Sequence, residues 1–308
     1  MDINILINQL AGLFIIMFLG YFIYKIKLVD EFFSKGLTKL IINVSMPCLL
    51  ISSVMATSEK QPVSNVILVL LLAILLYFVI FPLAGFIIAK ILRVKPNQEG
   101  LYMFMSSFSN IGFMGFPIIS AVCGAVGLFY ATLFNMVFNL GIFTIGIWLV
   151  IFGKKDGVKF NLRQLLSPGF IGACFALLAY FSGLKLPNFL FSAVDMVGDI
   201  TSPAAMLVTG FTLAKMDIKN IFNDWRVYVW LFIKQLAFPL ILWIPLTFLF
   251  SNEIIRYVSL ILIGMPTANM AVLYATTYNS DEALAARAVF ITTLFSLITI
   301  PLCVWLVM

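Results

Sequence analysis

The sequence predicts an all-α membrane protein of ten transmembrane helices, arranged as two inverted five-helix repeats in which helices 4 and 9 are broken. Three observations predict it. Hydrophobic residues make up 63% of the 308 residues and charged ones 10%, where a soluble domain has roughly half its residues apolar and about a quarter charged. The basic residues alternate loop by loop along the chain. A set of proline and glycine devices recurs in the same order roughly 155 residues later.

The mean hydropathy is +1.11, and apolar stretches of about twenty residues recur from end to end, the length that a bilayer core demands. Apolar runs punctuated by charge, Pro and Gly place the spans at 4–25, 36–56, 65–90, 100–122, 127–152, 168–184, 189–213, 227–250, 255–278 and 283–307. This divides the chain into a first repeat (1–152), a short cytoplasmic loop (153–167) and a second, inverted repeat (168–308). The apolar run from Ile3 to Ile26 is too long for a signal peptide, lacks a basic n-region, and reads as the first span.

Loop charge sets the orientation. Lys25, Lys27, Lys35 and Lys39 lie around loop one, and Lys90, Arg93 and Lys95 in loop three. Lys154, Lys155, Lys159 and Arg163 lie in loop five, Lys215, Lys219 and Arg226 around loop seven, and Arg287 after loop nine. The even loops hold only Lys60, Lys185 and Arg256. Basic loops stay in the cytoplasm, so the odd loops are expected inside and both termini outside.

The net charge of +6 does not point to nucleic acid, because no Lys/Arg-rich block with interleaved aromatics is present. Histidine is absent, which removes His-based triads, HExxH zinc sites and His proton relays. Cys48, Cys123, Cys174 and Cys303 each lie alone in an apolar stretch and read as small buried hydrophobes. No nucleophile–base arrangement emerges, so an enzyme is not expected, nor a cofactor. No Gly-x4-Gly-Lys-[Ser/Thr] motif occurs, so energy for transport would come from a gradient.

The repeat pairs Pro47 of span two with Pro203 of span seven, and Phe81-Pro82-Leu83 with Phe238-Pro239-Leu240. It also pairs Asn110 to Pro117 of span four with Pro266 to Asn269 of span nine. Five helices separate the copies, an odd number, so the second enters from the opposite side, as in many secondary transporters. Gly112, Gly115 and Pro117 in span four, and Gly264 with Pro266 in span nine, should unwind their helices. Unwound backbone is tolerated at membrane depth only where it is buried in protein or lines a cavity. Two such breaks in matching places point to a midplane site, where exposed amides favour an anion and exposed carbonyls a cation. Asn110, Thr267 and Asn269 offer side-chain hydrogen bonds there.

The segment Asn110-Ile-Gly-Phe-Met-Gly-Phe-Pro117 resembles the crossover motif of the auxin efflux carrier family, which includes plant auxin carriers and bacterial malate or malonate permeases. Pro203 with Gly210-Phe-Thr-Leu213, Met265 to Asn269 leading to Tyr278-Asn-Ser-Asp281, and Thr292 to Pro301 fit as well. The likeness covers essentially the whole chain. It implies a scaffold of spans one, two, six and seven, often dimeric. Spans three to five and eight to ten would form a moving transport domain. Spans four and nine would cross at Pro117 and Pro266 with substrate at the crossing, and the mechanism would be elevator-like alternating access. The long hydrophilic loop of plant members is replaced here by about fifteen residues, as in bacterial permeases.

Helix-embedded polar residues complete the candidate set. Lys234 lies within span eight, where a lysine at mid-bilayer costs roughly 2.5–3.5 kcal/mol and usually has a function. It is similar to a basic residue at this place in some family members. It could support the crossover, attract an anion, or snorkel to the interface. Asp195 and Asp199 stack four apart on span seven and suit proton or sodium coupling. Val197-Gly198-Asp199 lacks the first glycine of the Gly-x-Gly-Asp of intramembrane aspartyl proteases, since Met196 stands there. Arg287 could pair with Asp281 or Glu282, face an anion's exit, or set topology. Asn135 and Asn139 lie four apart on span five, which borders the substrate site in the family, and Asn139 joins the candidates.

The expectation is therefore a secondary carrier for a small carboxylate, malate-like or auxin-like, in a bacterial cytoplasmic membrane, working as a homodimer. A channel, or a membrane sensor that binds a carboxylate without moving it, stands as the alternative.

Overall fold

The computed structural model describes residues 3–56, 61–152, 168–182, 186–215 and 222–308. The predicted loop 153–167, with Lys154, Lys155, Lys159 and Arg163, lies outside the described residues, as do Lys60, Lys185 and Lys219.

The described residues are helical, and their order follows the apolar runs. α1 (Ile3–Lys25), α2 (Glu31–Leu40), α3 (Met46–Ala56), α4 (Val63–Leu75) and α5 (Phe81–Ile91) come first. α6 (Pro96–Ser107), α7 (Phe116–Phe143) and α8 (Ile145–Val150) follow. The remainder are α9 (Pro168–Ser182), α10 (Asn188–Asp199), α11 (Thr201–Lys215), α12 (Trp225–Phe232), α13 (Phe238–Leu249), α14 (Glu253–Gly264), α15 (Met270–Thr277) and α16 (Glu282–Val307). Among the described residues, six stretches are long and apolar enough to cross a membrane: Glu31–Ser52, Val63–Ile91, Ile111–Phe143, Asn188–Lys215, Trp225–Leu249 and Glu282–Val307. Leu10–Lys25 is a shorter apolar helix.

Several of these stretches run through a π-helical turn, and each such turn precedes a proline. Ile41–Ser45 precedes Pro47, Leu76–Ile80 precedes Pro82, Ile111–Gly115 precedes Pro117, and Ile233–Ala237 precedes Pro239. Proline lacks an N–H and its ring collides with the carbonyl four residues back. Widening the preceding turn relieves the collision, and the N–H just before the proline reaches back five residues instead of four. Met46 N–H thus bonds Ile41 O, and Phe238 N–H bonds Ile233 O. The carbonyl stranded by Pro239 is that of Gln235, which accepts from Cys303 Sγ at 3.1 Å. The helices therefore continue through these prolines.

Close helix contact is set by small residues. α1 runs along α11. A Cβ on Gly20 would come within 2.5 Å of Leu207 O, and one on Gly210 would overlap Met17 O. α3 packs on α9 and α10, while α5 packs on α6, α7 on α4 and α14, and α16 on α14 and α15. α7 is two helical pieces, because Gly124 adopts φ 63° and ψ −162° inside it. That reversal falls in the predicted gap between spans four and five, and its positive φ suits glycine.

Candidate functional site

The centre of the molecule is where two helices stop and restart. α6 ends at Ser107, and Phe108 turns to an extended conformation (φ −108°, ψ 101°) before the chain resumes helix at Ile111. α14 ends at Gly264, Met265 is extended (φ −60°, ψ 149°), and helix resumes at Met270. The two extended pieces meet as an antiparallel bridge between Ser109 and Thr267. Asn110 N–H donates to Pro266 O at 2.7 Å, and Ala268 N–H donates to Phe108 O at 3.0 Å.

A helix end leaves orphan amides and carbonyls, which are costly away from water. Here each break supplies what the other lacks. Thr267, fully buried, donates its N–H to Thr292 Oγ at 3.1 Å, and its hydroxyl contacts Met105 O at 3.4 Å. The Thr292 hydroxyl donates in turn to Ala288 O at 2.6 Å within α16. Lys234, only 1% exposed, donates from Nζ to Met265 O at 2.7 Å and to Ser109 Oγ at 2.9 Å. One turn earlier on the same face, Trp230 Nε1 donates to Ser106 Oγ at 2.9 Å. The segment containing Trp230 and Lys234 is thereby clipped to both broken helices. Aromatic packing closes the rest: Phe108 stacks on Tyr77 at 6.0 Å and meets Phe138 edge-on at 5.5 Å.

The predicted residues distribute as follows. Asn110 caps the restarted helix: its Oδ1 accepts from Phe113 N–H at 3.3 Å, while its buried Nδ2 has no hydrogen-bond partner among the described residues. Asn269 stands at the N-terminus of α15, half-buried, and its Oδ1 likewise lacks a partner. Pro266 and Thr267 form the bridge itself. Gly112 is half-buried, and a Cβ there would meet Met46 Cε at 2.8 Å, so α3 presses on the restarted helix through this glycine. Gly115 is buried, with its N–H on Asn110 O at 3.1 Å.

Other residues fall elsewhere than expected. Pro117 is not at the crossing: it is the second residue of α7, following the π turn, and the unwound stretch is 108–110. The π turn Ile111–Gly115 accommodates its missing N–H, so Pro117 sits inside the restarted helix without breaking it. Asn139 is half-buried and turns its Nδ2 onto Asn135 O at 2.8 Å in its own helix, while Asn135 Nδ2 is buried without a partner. Asp199 is exposed and Asp195 half-buried, so the pair is not enclosed. Arg287 pairs with Asp224 (3.4 Å) rather than with Asp281 or Glu282. Asp281 instead caps α16 through Leu284 N–H at 2.9 Å and accepts from Gln98 Nε2 at 2.7 Å.

Sequence reasoning missed Ser109, Trp230 and Thr292 as members of this network. Polar residues inside apolar spans were the available signal, and nothing local named their partners. Away from the crossing, an apolar outward groove between α1 and α16 is lined by Leu10, Leu297, Pro301 and Trp305.

An all-helical chain with several membrane-capable helices, and two interrupted helices bridged through their backbones, is an integral membrane protein with a polar centre. It belongs to the membrane transport protein family, whose model it matches over residues 5–304. The resemblance to the auxin efflux carriers read from its motifs agrees with that assignment. The chain is 26% identical over 309 residues to an uncharacterized transporter of Methanocaldococcus jannaschii, covering 96% of each. It is 21% identical over 304 residues to an uncharacterized transporter of Methanothermobacter thermautotrophicus, covering 96% of each. It is 22% identical over 313 residues to the uncharacterized transporter YfdV of Escherichia coli, covering 97% of this chain and 96% of that one.

Proposed function

We propose that the protein is a secondary active transporter that carries a small organic anion, a carboxylate of malate-like or auxin-like chemistry, by elevator-type alternating access. The observation that carries this reading is the bridged pair of breaks with the buried Asn110 Nδ2 donor, which among the described residues has no hydrogen-bond partner. Two helices begin there, the run from Ile111 and α15 from Met270. Their N-terminal amides carry partial positive charge and favour a carboxylate. Asn110 Nδ2 can donate to it.

In this reading ten spans form two inverted repeats. Spans one, two, six and seven are a scaffold that pairs with a second copy, and the remaining spans move as one body. The α1–α11 and α3–α9–α10 packing supports the first group, and the Trp230–Ser106 and Lys234–Ser109 bonds support the second. Both termini lie outside a bacterial cytoplasmic membrane. Asp195 and Asp199, on the water- or lipid-facing side of the scaffold helix α10, carry proton or sodium coupling.

Counterflow in proteoliposomes tests the reading. Liposomes preloaded with unlabelled malate, malonate or indole-3-acetate should accumulate the matching labelled anion saturably. Asn110→Ala or Asn269→Ala should abolish this uptake while the protein still elutes as a folded species. Binding without counterflow for every solute would make the protein a sensor, and full activity in both variants would remove the site assignment. Asp199→Asn should change the pH or sodium dependence of uptake; an unchanged profile would end the coupling role.

A further inference from the structure

We propose that the Lys234 side chain is the resident cation of the crossing, filling a site that a small monovalent cation, an alkali ion or an alkylammonium, would otherwise occupy. The site is built from oxygens alone. Nζ is held by the carbonyl of Met265 and the hydroxyl of Ser109, and the side chain is 1% exposed. Among the described residues no carboxylate forms an ion pair with it.

Two helix ends supply the negative field in place of a carboxylate. Met265 is the C-cap of α14, and Ser109 follows the C-cap Phe108 of α6. The carbonyl that caps α14 carries partial negative charge and accepts from the ammonium directly, while on the α6 side the Ser109 hydroxyl accepts beside it. Carbonyl and hydroxyl oxygens at the C-terminal ends of broken helices are the groups that coordinate sodium or a proton in other transporters of inverted-repeat design. Here the covalently attached ammonium takes that place and donates directly to both breaks. The consequence is that the crossing is held without a dissociable cation, and that removing the ammonium should leave a vacancy selective for one.

Melting of purified protein in detergent tests this without reference to transport, so its outcome is independent of the counterflow result. With the coupling carboxylate removed by Asp199→Asn, protein that keeps Lys234 should melt alike in sodium, potassium and choline chloride at equal ionic strength, and the Lys234 variants are compared in the same background. A saturable rise in sodium alone in the Asp199→Asn protein would overturn the proposal, because the resident cation would then be insufficient. Lys234→Ala removes the atoms of n-propylamine. In choline chloride this variant should melt lower than protein that keeps Lys234. Sodium or n-propylammonium should restore it saturably, by at least about 2 °C on the size scaling of thermal midpoints. 1-Propanol, which fills the volume without the charge, should not. Equal melting of Lys234→Ala in every salt and additive would overturn the proposal. Lys234→Met keeps the stem and lacks the charge, which guards against a variant that does not accumulate. Lys234→Met with the yield and melting of protein that keeps Lys234 would overturn the proposal as well. Loss of folded Lys234→Met alongside recovery of folded Lys234→Arg would support it.

Discussion

Adjacent threonines on α16 should respond in opposite directions to one substitution. Thr292 and Thr293 are both fully buried. Thr292 Oγ accepts the N–H of Thr267, whereas Thr293 Oγ has no hydrogen-bond partner. Valine matches threonine in shape, so neither change opens a cavity. In Thr292→Val the N–H of Thr267, itself fully buried, loses its acceptor. An unsatisfied buried amide costs about 1–3 kcal/mol. The value should sit toward the lower end, because an unfolded chain in the bilayer finds alternative partners and membrane hydrogen bonds average about 0.6 kcal/mol. At roughly 2–4 °C per kcal/mol, the midpoint should fall by about 2–8 °C. In Thr293→Val an unpartnered hydroxyl leaves a dry site, so the midpoint should hold or rise by a few degrees. Fluorescence-detected size exclusion after heating in detergent measures both. Equal losses in the two variants, or no loss in Thr292→Val, would refute the argument that the bridge is held through α16.

Three further outcomes follow from the packing. Gly210→Leu should push α1 from α11 and lower folded yield, since even a Cβ overlaps Met17 O; Gly36→Ala, which meets nothing within 4 Å, should stabilise by about 0.5–1 kcal/mol in the same melting assay. Gly124→Ala has open space around its Cβ but φ 63° with ψ −162°, a region essentially confined to glycine, so a loss of about 1–3 kcal/mol there isolates backbone strain, and a neutral result would mean that the reversal relaxes. A double-mutant cycle on Asp224→Ala and Arg287→Ala should give a coupling below about 1 kcal/mol, because the 3.4 Å pair keeps side chains 24% and 18% exposed to water.

The breaks were legible in the sequence because glycine and proline cluster nowhere else with asparagine at matching repeat positions. Their register was not. Pro117 read as the breaker, yet the chain unwinds at 108–110, where Phe108 and Ser109 carry no breaking signal. The difference lies in what proline forbids. It forbids one N–H and one carbonyl approach, and a π turn satisfies both demands without ending the helix. Pro47, Pro82 and Pro239 sit in the same relation to their π turns, inside stretches that remain single membrane-capable helices. Pro266 differs because it follows directly on the extended Met265, where the residue before a proline is disfavoured from α conformation.

Lys234 shows why the centre of the site was legible only as a question. A lysine in an apolar span signals a partner, and the sequence offered nearby candidates such as solvent at the interface. The acceptors are Ser109, 125 residues away, and the carbonyl of Met265, 31 residues away. Neither is charged, so no pattern of opposite charges could have named them. The carbonyl is a free acceptor because α14 ends there, and α14 ends there because Pro266 disfavours helix at Met265, with the extended residues beyond it pairing with the other break. The lysine, the two helix ends and the bridge therefore stabilise one arrangement jointly. Loss of the ammonium should loosen both breaks together, so Lys234→Ala should increase hydrogen exchange at Asn110 N and Ala268 N by the same factor. Exchange that rose at one amide and not the other would mean that each break is held separately.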